Sequence, residues 1–386
     1  MENIKIQDKQ KCCGCGACRD VCPTGSITME YNDEGFRYPV IDNNKCIHCN
    51  QCKNVCPIDK KPERDHKESF YAGYTNDSSV MAASSSGGIF WPIACQFLNG
   101  GGIVYGAVLK DGINIRHERC ESIEDCKKIR KSKYLQSDLT SIYQQVKQDL
   151  KAEKKVLFSG TPCQVAALYS FLGRSFDNLY TIDVICHGVP SRAVFNRYIE
   201  EQEQLHHKKI VSYCWRDKSK GWGPNQVTVV FDDGSSSTTT SQENPMQKGF
   251  LDNWYLRPSC YQCQFAKIPR VADISLADFW GYDLQLKEKN NNRGMSLIVV
   301  SSNHGQELFE SIKDQVEYHE VSKEYACAKS RHLWIHPKEN NNRDKFMSDF
   351  KRGKTFKYLT RKYIMPSFAE KCKRKALRVI KRAIGK

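Results

Sequence analysis

The chain of 386 residues has little of several things. It has no long hydrophobic run. Its longest nearly apolar stretch, Ile89 to Leu98, is far too short to span a bilayer. The segment from Met1 to Asp8 has no apolar h-region and no small-residue cleavage site, so no secretory signal is read. Neither a Walker A sequence nor a Rossmann fingerprint occurs. Net charge is also scarce outside one end. The formal charge is +15, but residues 338–386 hold 17 Lys/Arg against 4 Asp/Glu, a net +13 that leaves only +2 for the rest. The basicity belongs to a tail, and a nucleic-acid partner is not expected from it. The reading is a cytoplasmic, oxygen-sensitive protein in which cysteines serve metals and not disulfides.

Cysteine is what the chain has in excess, with 19 residues. Eight of them form a repeat. Cys12-x2-Cys15-x2-Cys18-x3-Cys22-Pro23 recurs as Cys46-x2-Cys49-x2-Cys52-x3-Cys56-Pro57. A C-x2-C-x2-C run wraps three thiolates round one 4Fe–4S cubane, and the fourth cysteine, before Pro, ligates the other cluster. The expected ligand sets are Cys12, Cys15, Cys18 and Cys56 for one cluster, and Cys46, Cys49, Cys52 and Cys22 for the second. Structural zinc is the competing reading, but zinc sites use C-x2-C pairs, not two full quartets with terminal Pro. Cys13 lies off the spacing and reads as a bystander or a substitute ligand.

Between the runs, Ile27–Tyr31 and Phe36–Ile41 flank Asn32-Asp-Glu-Gly35, which predicts a hairpin. The charged stretch 59–68 reads as a linker. Beyond it the pattern alternates. Strands are expected at Ile103–Leu109, Ile113–His117, Val156–Ser159, Tyr180–Ile185, Val227–Phe231 and Met295–Ser301. Helices are expected at Trp91–Leu98, Cys163–Leu172 and from Ser191 to Leu205. Ser235–Ser241 reads as a loop or hairpin end. The fold class is mixed α/β (α+β), with a small bacterial-type ferredoxin domain ahead of a larger α/β unit.

Four more cysteines sit where the chain turns: Cys163 after a strand, Cys186 at the end of the next, and the Cys260-x2-Cys263 pair. They suggest a third metal site. A reactive Cys163 thiolate at a helix N-terminus, a zinc-binding pair or plain core cysteines remain open on spacing alone. The loop Ala82-Ala-Ser-Ser-Ser-Gly-Gly-Ile-Phe90 puts small residues before a helix, which suits an anion or a tight turn. Arg130-Lys-Ser-Lys-Tyr-Leu-Gln-Ser137 supplies cations, a ring and amide groups to a cofactor, or else a solvated basic face. Asp273–Gly281 adds Phe279 and Trp280, which read equally well as core.

Taken together, Ser84–Phe90, Ser132–Ser137, Ser159-Gly-Thr-Pro-Cys-Gln164, Cys186-His-Gly-Val-Pro190, Cys260-x2-Cys263 and Asp273–Gly281 resemble, in order, the coenzyme F420 hydrogenase/dehydrogenase beta-subunit family. The resemblance implies an α/β flavoprotein that binds FAD and one further 4Fe–4S cluster. It implies Cys163, Cys186, Cys260 and Cys263 as that cluster's ligands. It makes Ser85, Ser86, Gly87, Gly88, Lys133, Tyr134, Gln136 and Ser137 the flavin-binding residues. The implied organisation is a two-cluster ferredoxin domain at 1–62, the two parts of the family region at 69–150 and 151–336, and a basic helical tail at 337–386.

The implied function is an oxidoreductase that relays single electrons between clusters and FAD, which exchanges hydride with a small organic substrate or coenzyme. The alternative is a non-catalytic adaptor delivering electrons to a partner enzyme, such as one in surface-polysaccharide biosynthesis. No deazaflavin pocket is read, and Ala277 stands where the family commonly has Gly. Catalytic residues and oligomeric state are not legible. Residues 366–386 space Phe368, Cys372, Ala376, Ile380 and Ile384 at i+4 among Lys and Arg. That predicts a basic amphipathic helix suited to an anionic membrane surface or an acidic partner.

Overall fold

The computed structural model describes residues 8–59, 68–223, 225–282 and 292–366. The expected linker and the amphipathic segment therefore fall almost wholly outside the described residues. The two cysteine runs share a local design. Each places its third cysteine on a single helical turn, Ala17–Asp20 or Gln51–Asn54. Each turn is entered from a left-handed residue, Gly16 at φ 82 and Asn50 at φ 59, which curls the chain back on itself. Between them, β1 (Ile27–Tyr31) and β2 (Arg37–Ile41) pair antiparallel. The Asn32 side chain closes the hairpin by accepting from the Phe36 amide at 2.9 Å.

The body is built on a mixed sheet. Its strands are β3 (Ser69–Thr75), β4 (Ile103–Lys110), β5 (Asn114–Cys120), β6 (Val156–Gly160) and β7 (Leu179–Val184). After β8 (Ile210–Asp217), β9 (Gln226–Phe231) and β10 (Ser236–Thr240), which form a separate antiparallel sheet, come β11 (Ile274–Asp278), β12 (Ser296–Val300) and β13 (Val316–Glu320). The main sheet runs β13-β3-β12-β11-β7-β6-β4-β5, with β4, β6, β7 and β11 parallel. Both faces are covered, as the apolar runs in β4, β6 and β7 require. Val104, Leu157, Ile182 and Ile274 pack under the Phe90–Asn99 and Asn303–Glu310 helices. Ile103, Tyr105, Val156 and Phe158 alternate to the other face, under the Ile142–Lys151 and Pro162–Leu172 helices.

The ferredoxin portion is part of this packing. Ala17 and Val55 enter the second core beside Phe171 and Ala272. Tyr143 donates to the Cys15 carbonyl at 3.2 Å, and Gln144 to the Asp20 carbonyl at 2.6 Å. Glu34, in the hairpin turn, takes the buried guanidinium of Arg343 at 2.6 Å. The hairpin tip passes so close to the Arg192–His206 helix that a Cβ on Gly35 would stand 2.3 Å from the Ala193 nitrogen.

Two expectations need correction. Ser236–Thr240 is not a loop but a strand paired to β9, its exposed Ser/Thr face explaining the missing hydrophobic signal. The basic segment that begins at residue 337 is not a tail throughout. Phe346, Met347, Phe350, Phe356, Leu359 and Ile364 are buried in the core built round β8, β9 and the Arg192–His206 helix. Apart from the buried Arg343, most of its described cations ride on the outside of an ordinary amphipathic packing face.

Candidate iron–sulfur centre

The structure brings the fourth cysteine of the first run to the second run. Cys22, from the first run, lines one small cavity with Cys46, Cys49 and Cys52 of the second. Pro23, Ile27, Ile41 and Ile47 complete its wall. Burial would raise the Cys22 thiol, but contacts with Ser26 Oγ at 3.2 Å and Thr24 Oγ1 at 3.6 Å outweigh it and bring the group down to about 7. The complementary set is also assembled. Burial pushes Cys18 up to about 12, and Cys12 and Cys56 add to that by like charge. Cys56 is raised by burial and feels Cys12 in turn.

The four scattered cysteines meet. Cys163 sits in the first turn of the Pro162–Leu172 helix, whose N-terminus is closed by a capping box between Thr161 and Gln164. Cys186 follows β7, and Cys260 and Cys263 lie on and just after a 3-10 turn, Pro258–Gln262. Burial raises Cys186 well above the ordinary thiol value, and the charges of Cys260, Cys163 and Cys263 raise it further. Burial likewise pushes Cys260 to about 12, with Cys263 adding to it. The Val189 amide donates to Cys260 Sγ at 3.4 Å. Cys163 is raised, first by its contact with the Cys13 thiol and then by burial. Burial and the neighbouring Cys13 thiol work against a low-pKa nucleophile at this helix N-terminus.

These donor sets fit iron–sulfur clusters. In the Cys163, Cys186, Cys260 and Cys263 set, burial and mutual like charge raise the thiols, and a bound cation relieves that by deprotonating its ligands outright. No group of three or more His, Cys, Asp or Glu side chains among the described residues is placed to hold a single metal ion. Tetrahedral zinc needs its ligands gathered about one point; a cubane spreads them over four irons. No disulfide joins the described cysteines.

The flavin candidates divide. Ser85, Ser86 and Tyr134 gather round Arg216. Its guanidinium donates to the Ser85 carbonyl at 2.9 Å and to Tyr134 Oη at 3.3 Å, and it pairs with Asp278. Ser85 Oγ accepts from the Ser132 amide at 2.7 Å, and Lys218 Nζ donates to the Ser86 carbonyl at 2.8 Å. Burial, then the charge of Arg216, lowers Lys218 to about 8. Beside them Trp280, 41% exposed, stacks on Trp222 at 3.8 Å, and Trp222 Nε1 donates to Asp278 at 2.8 Å. Gly87 and Gly88 serve closeness: a Cβ on Gly87 would stand 2.5 Å from the Gly73 oxygen, and one on Gly88 2.8 Å from Thr75.

Lys133, Gln136 and Ser137 point elsewhere. Lys133 is bound to the carbonyls of Ile129, Arg130 and Lys131, and burial pushes it down to about 7. Gln136 donates to the carbonyls of Cys13 and Gly14 at 2.9 and 3.0 Å. Ser137 accepts from Gln164 at 2.9 Å. Phe279 is core, whereas Trp280 is not. Sequence reasoning missed Arg216, Lys218 and Arg257, because a lone basic residue in a strand or loop carries no local signal of what it will face.

A family model for the C terminus of the coenzyme F420 hydrogenase/dehydrogenase beta subunit matches residues 153–324. A 4Fe-4S dicluster domain model matches residues 11–60. Among solved structures, a chain of the F420-reducing NiFe hydrogenase complex from Methanosarcina barkeri is similar at 16% identity and a TM-score of 0.47, over 70% of this chain and 90% of that one. None of the curated proteins matches. The first family match contains Cys163, Cys186, Cys260 and Cys263, and the second contains all eight repeat cysteines. Residues 153–324 thus match the C-terminal region of the coenzyme F420 hydrogenase/dehydrogenase beta subunit, and a 4Fe–4S dicluster domain lies ahead of them.

Proposed function

We propose that the chain is an iron–sulfur flavoprotein oxidoreductase. Electrons would pass one at a time between the two ferredoxin-type centres and a third 4Fe–4S centre on Cys163, Cys186, Cys260 and Cys263, with FAD beside it. The observation that carries this reading is the meeting of those four part-buried cysteines next to the first cysteine run, through Cys13 and Arg257.

When bound, the flavin would supply the exchange between hydride pairs and single electrons that clusters cannot make. Ser85, Ser86 and Tyr134 are the residues assigned to it, with Lys218 and Arg216 as the nearby positive charge for its pyrophosphate. Trp280 offers an exposed ring face at the same place for a planar substrate or coenzyme. Tyr134 belongs to both sites, since it lies against Arg216 and also feels the charge of Cys186. At the opposite end, Cys49 is exposed and Ile47 is 63% exposed, so the outer ferredoxin centre is open to a redox partner protein.

Anaerobic purification with iron, sulfide and flavin analysis tests this. The expected result is one FAD and about twelve irons per chain, from three four-iron clusters. About eight irons and no flavin would reject it in favour of an electron-transfer adaptor. Zinc without labile sulfide would reject both.

A further inference from the structure

Four arginines among the described residues are buried: Arg216, Arg257, Arg270 and Arg343. Three have a carboxylate. Arg216 pairs with Asp278, Arg270 with Asp183 and Arg343 with Glu34. Arg257 is fully buried and has no carboxylate partner among the described residues. Its hydrogen bonds go to neutral oxygens. Nε donates to the Cys12 carbonyl at 2.7 Å, Nη2 to the Arg37 carbonyl at 2.7 Å and Nη1 to Gln136 Oε1 at 3.3 Å. The guanidinium lies over the Tyr38 ring at 4.4 Å. A lone buried cation is costly in a low-dielectric interior, and natural proteins pair it.

The Arg257 side chain lies against sulfur. Nη2 stands 3.9 Å from Cys12 Sγ. On its other side its own carbonyl accepts from the Cys260 amide at 2.9 Å, which fixes it against the second set. The backbone is cut to admit it: a Cβ on Gly14 would stand 2.7 Å from Nη1. A cubane held by four thiolates is an anion in both oxidation states and gains one more negative charge on reduction.

We propose that Arg257 is the missing counter-ion of the iron–sulfur centres: a fixed buried cation between the Cys12 centre and the Cys163/Cys186/Cys260/Cys263 centre that raises the reduction potential of both. It is a tuning and positioning residue, since it ligates no iron. The inference rests on the reading above for the third centre and on the dicluster domain alone for the Cys12 centre. A fixed positive charge near two centres shifts both potentials in the same, positive direction.

The test is an anaerobic redox titration, monitored by electron paramagnetic resonance, of the full native chain and of Arg257→Met and Arg257→Lys. Arg257→Met should shift both centres to more negative potential at unchanged iron content. Arg257→Lys, which keeps the charge, should stay near the native values. Unchanged potentials in a fully loaded Arg257→Met chain, or equal shifts in both variants, would overturn the proposal and leave Arg257 a bolt between packed segments. Should Arg257→Met not assemble, Gly14→Ala decides. It pushes the guanidinium away from Cys12 without removing the charge, and a Cys12 centre of unaltered potential there overturns the proposal equally. About eight irons in the native chain would remove the third centre while leaving the shift of the Cys12 centre to be read.

Discussion

Cys13 and Cys163 meet thiol to thiol, one from the first ferredoxin run and the other from the first turn of a body helix. Neither is isolated, for Cys13 also contacts Cys15, a ligand of the first cluster. On the proposed ligand sets, a buried side chain that belongs to neither thus joins the two. Cys13→Ala should keep the full iron and sulfide content of the native chain. Loss of about four irons would make Cys13 a ligand in place of one of its neighbours.

The crossed ligation expected of the repeat has a spectroscopic consequence. Cys22 lines the same cavity as Cys46, Cys49 and Cys52. Cys22→Ser and Cys46→Ser should thus perturb the same cluster signal, while Cys12→Ser and Cys56→Ser perturb the other. Electron paramagnetic resonance of the reduced variants separates the two groups. Pairing of Cys22→Ser with Cys12→Ser would contradict the assignment.

The ferredoxin hairpin is bolted to the body by a buried ion pair. Arg343 and Glu34 are 6% and 15% exposed at their side chains, and Lys351 also reaches Glu34 at 3.4 Å. Removing one partner of such a pair leaves the other charged and desolvated. Arg343→Met should cost about 3 kcal/mol of stability. Denaturation followed by both cluster absorbance and protein fluorescence checks this, and the cluster signal should be lost first.

Acid should weaken the body through His117. Burial holds its imidazole down to about 4, against an ordinary 6.5. Its Nε2 is 2.9 Å from the Ser159 carbonyl, and its Nδ1 has no partner among the described residues. The unfolded chain takes up this proton near 6.5 and the folded one only near 4, so the contribution is whole above 6.5 and is lost as pH falls towards 4. The slope reaches about 1.4 kcal/mol per pH unit. Over that window the thermal midpoint of the native chain should fall more steeply than that of His117→Asn.

The Ser/Gly loop tolerates no side chain at Gly87, where a Cβ would meet the Gly73 oxygen at 2.5 Å and the Ser296 nitrogen at 2.8 Å. Gly87→Ala must displace the loop and with it Ser85 and Ser86. The measurement is flavin content after anaerobic purification, with iron as an internal control. Lowered flavin at full iron is expected.

Much of this was legible where chemistry is written into spacing. The cysteine repeat, the Asn32–Gly35 turn and the buried strands β4, β6 and β7 each announce themselves within a few residues. Ser236–Thr240 did not, because an exposed edge strand rich in Ser and Thr has no apolar alternation. Residues 343–364 read as tail because Lys and Arg dominate the count, while the few apolar positions that fix the packing are spread among them. Cys13 looked idle and Gln136 looked like a flavin ligand for the same reason. Both act across a contact between distant segments, and only the fold puts those segments together. Arg257 is the extreme case: nothing in Arg257-Pro-Ser-Cys260 says that its charge will be buried without a carboxylate.

The central claim is a third cluster inside the body. Iron analysis of anaerobically purified Cys186→Ser beside the native chain tests it most directly. The account predicts about twelve irons in the native chain and about eight in the variant, with both ferredoxin signals intact in the variant. Equal iron in the two would contradict it.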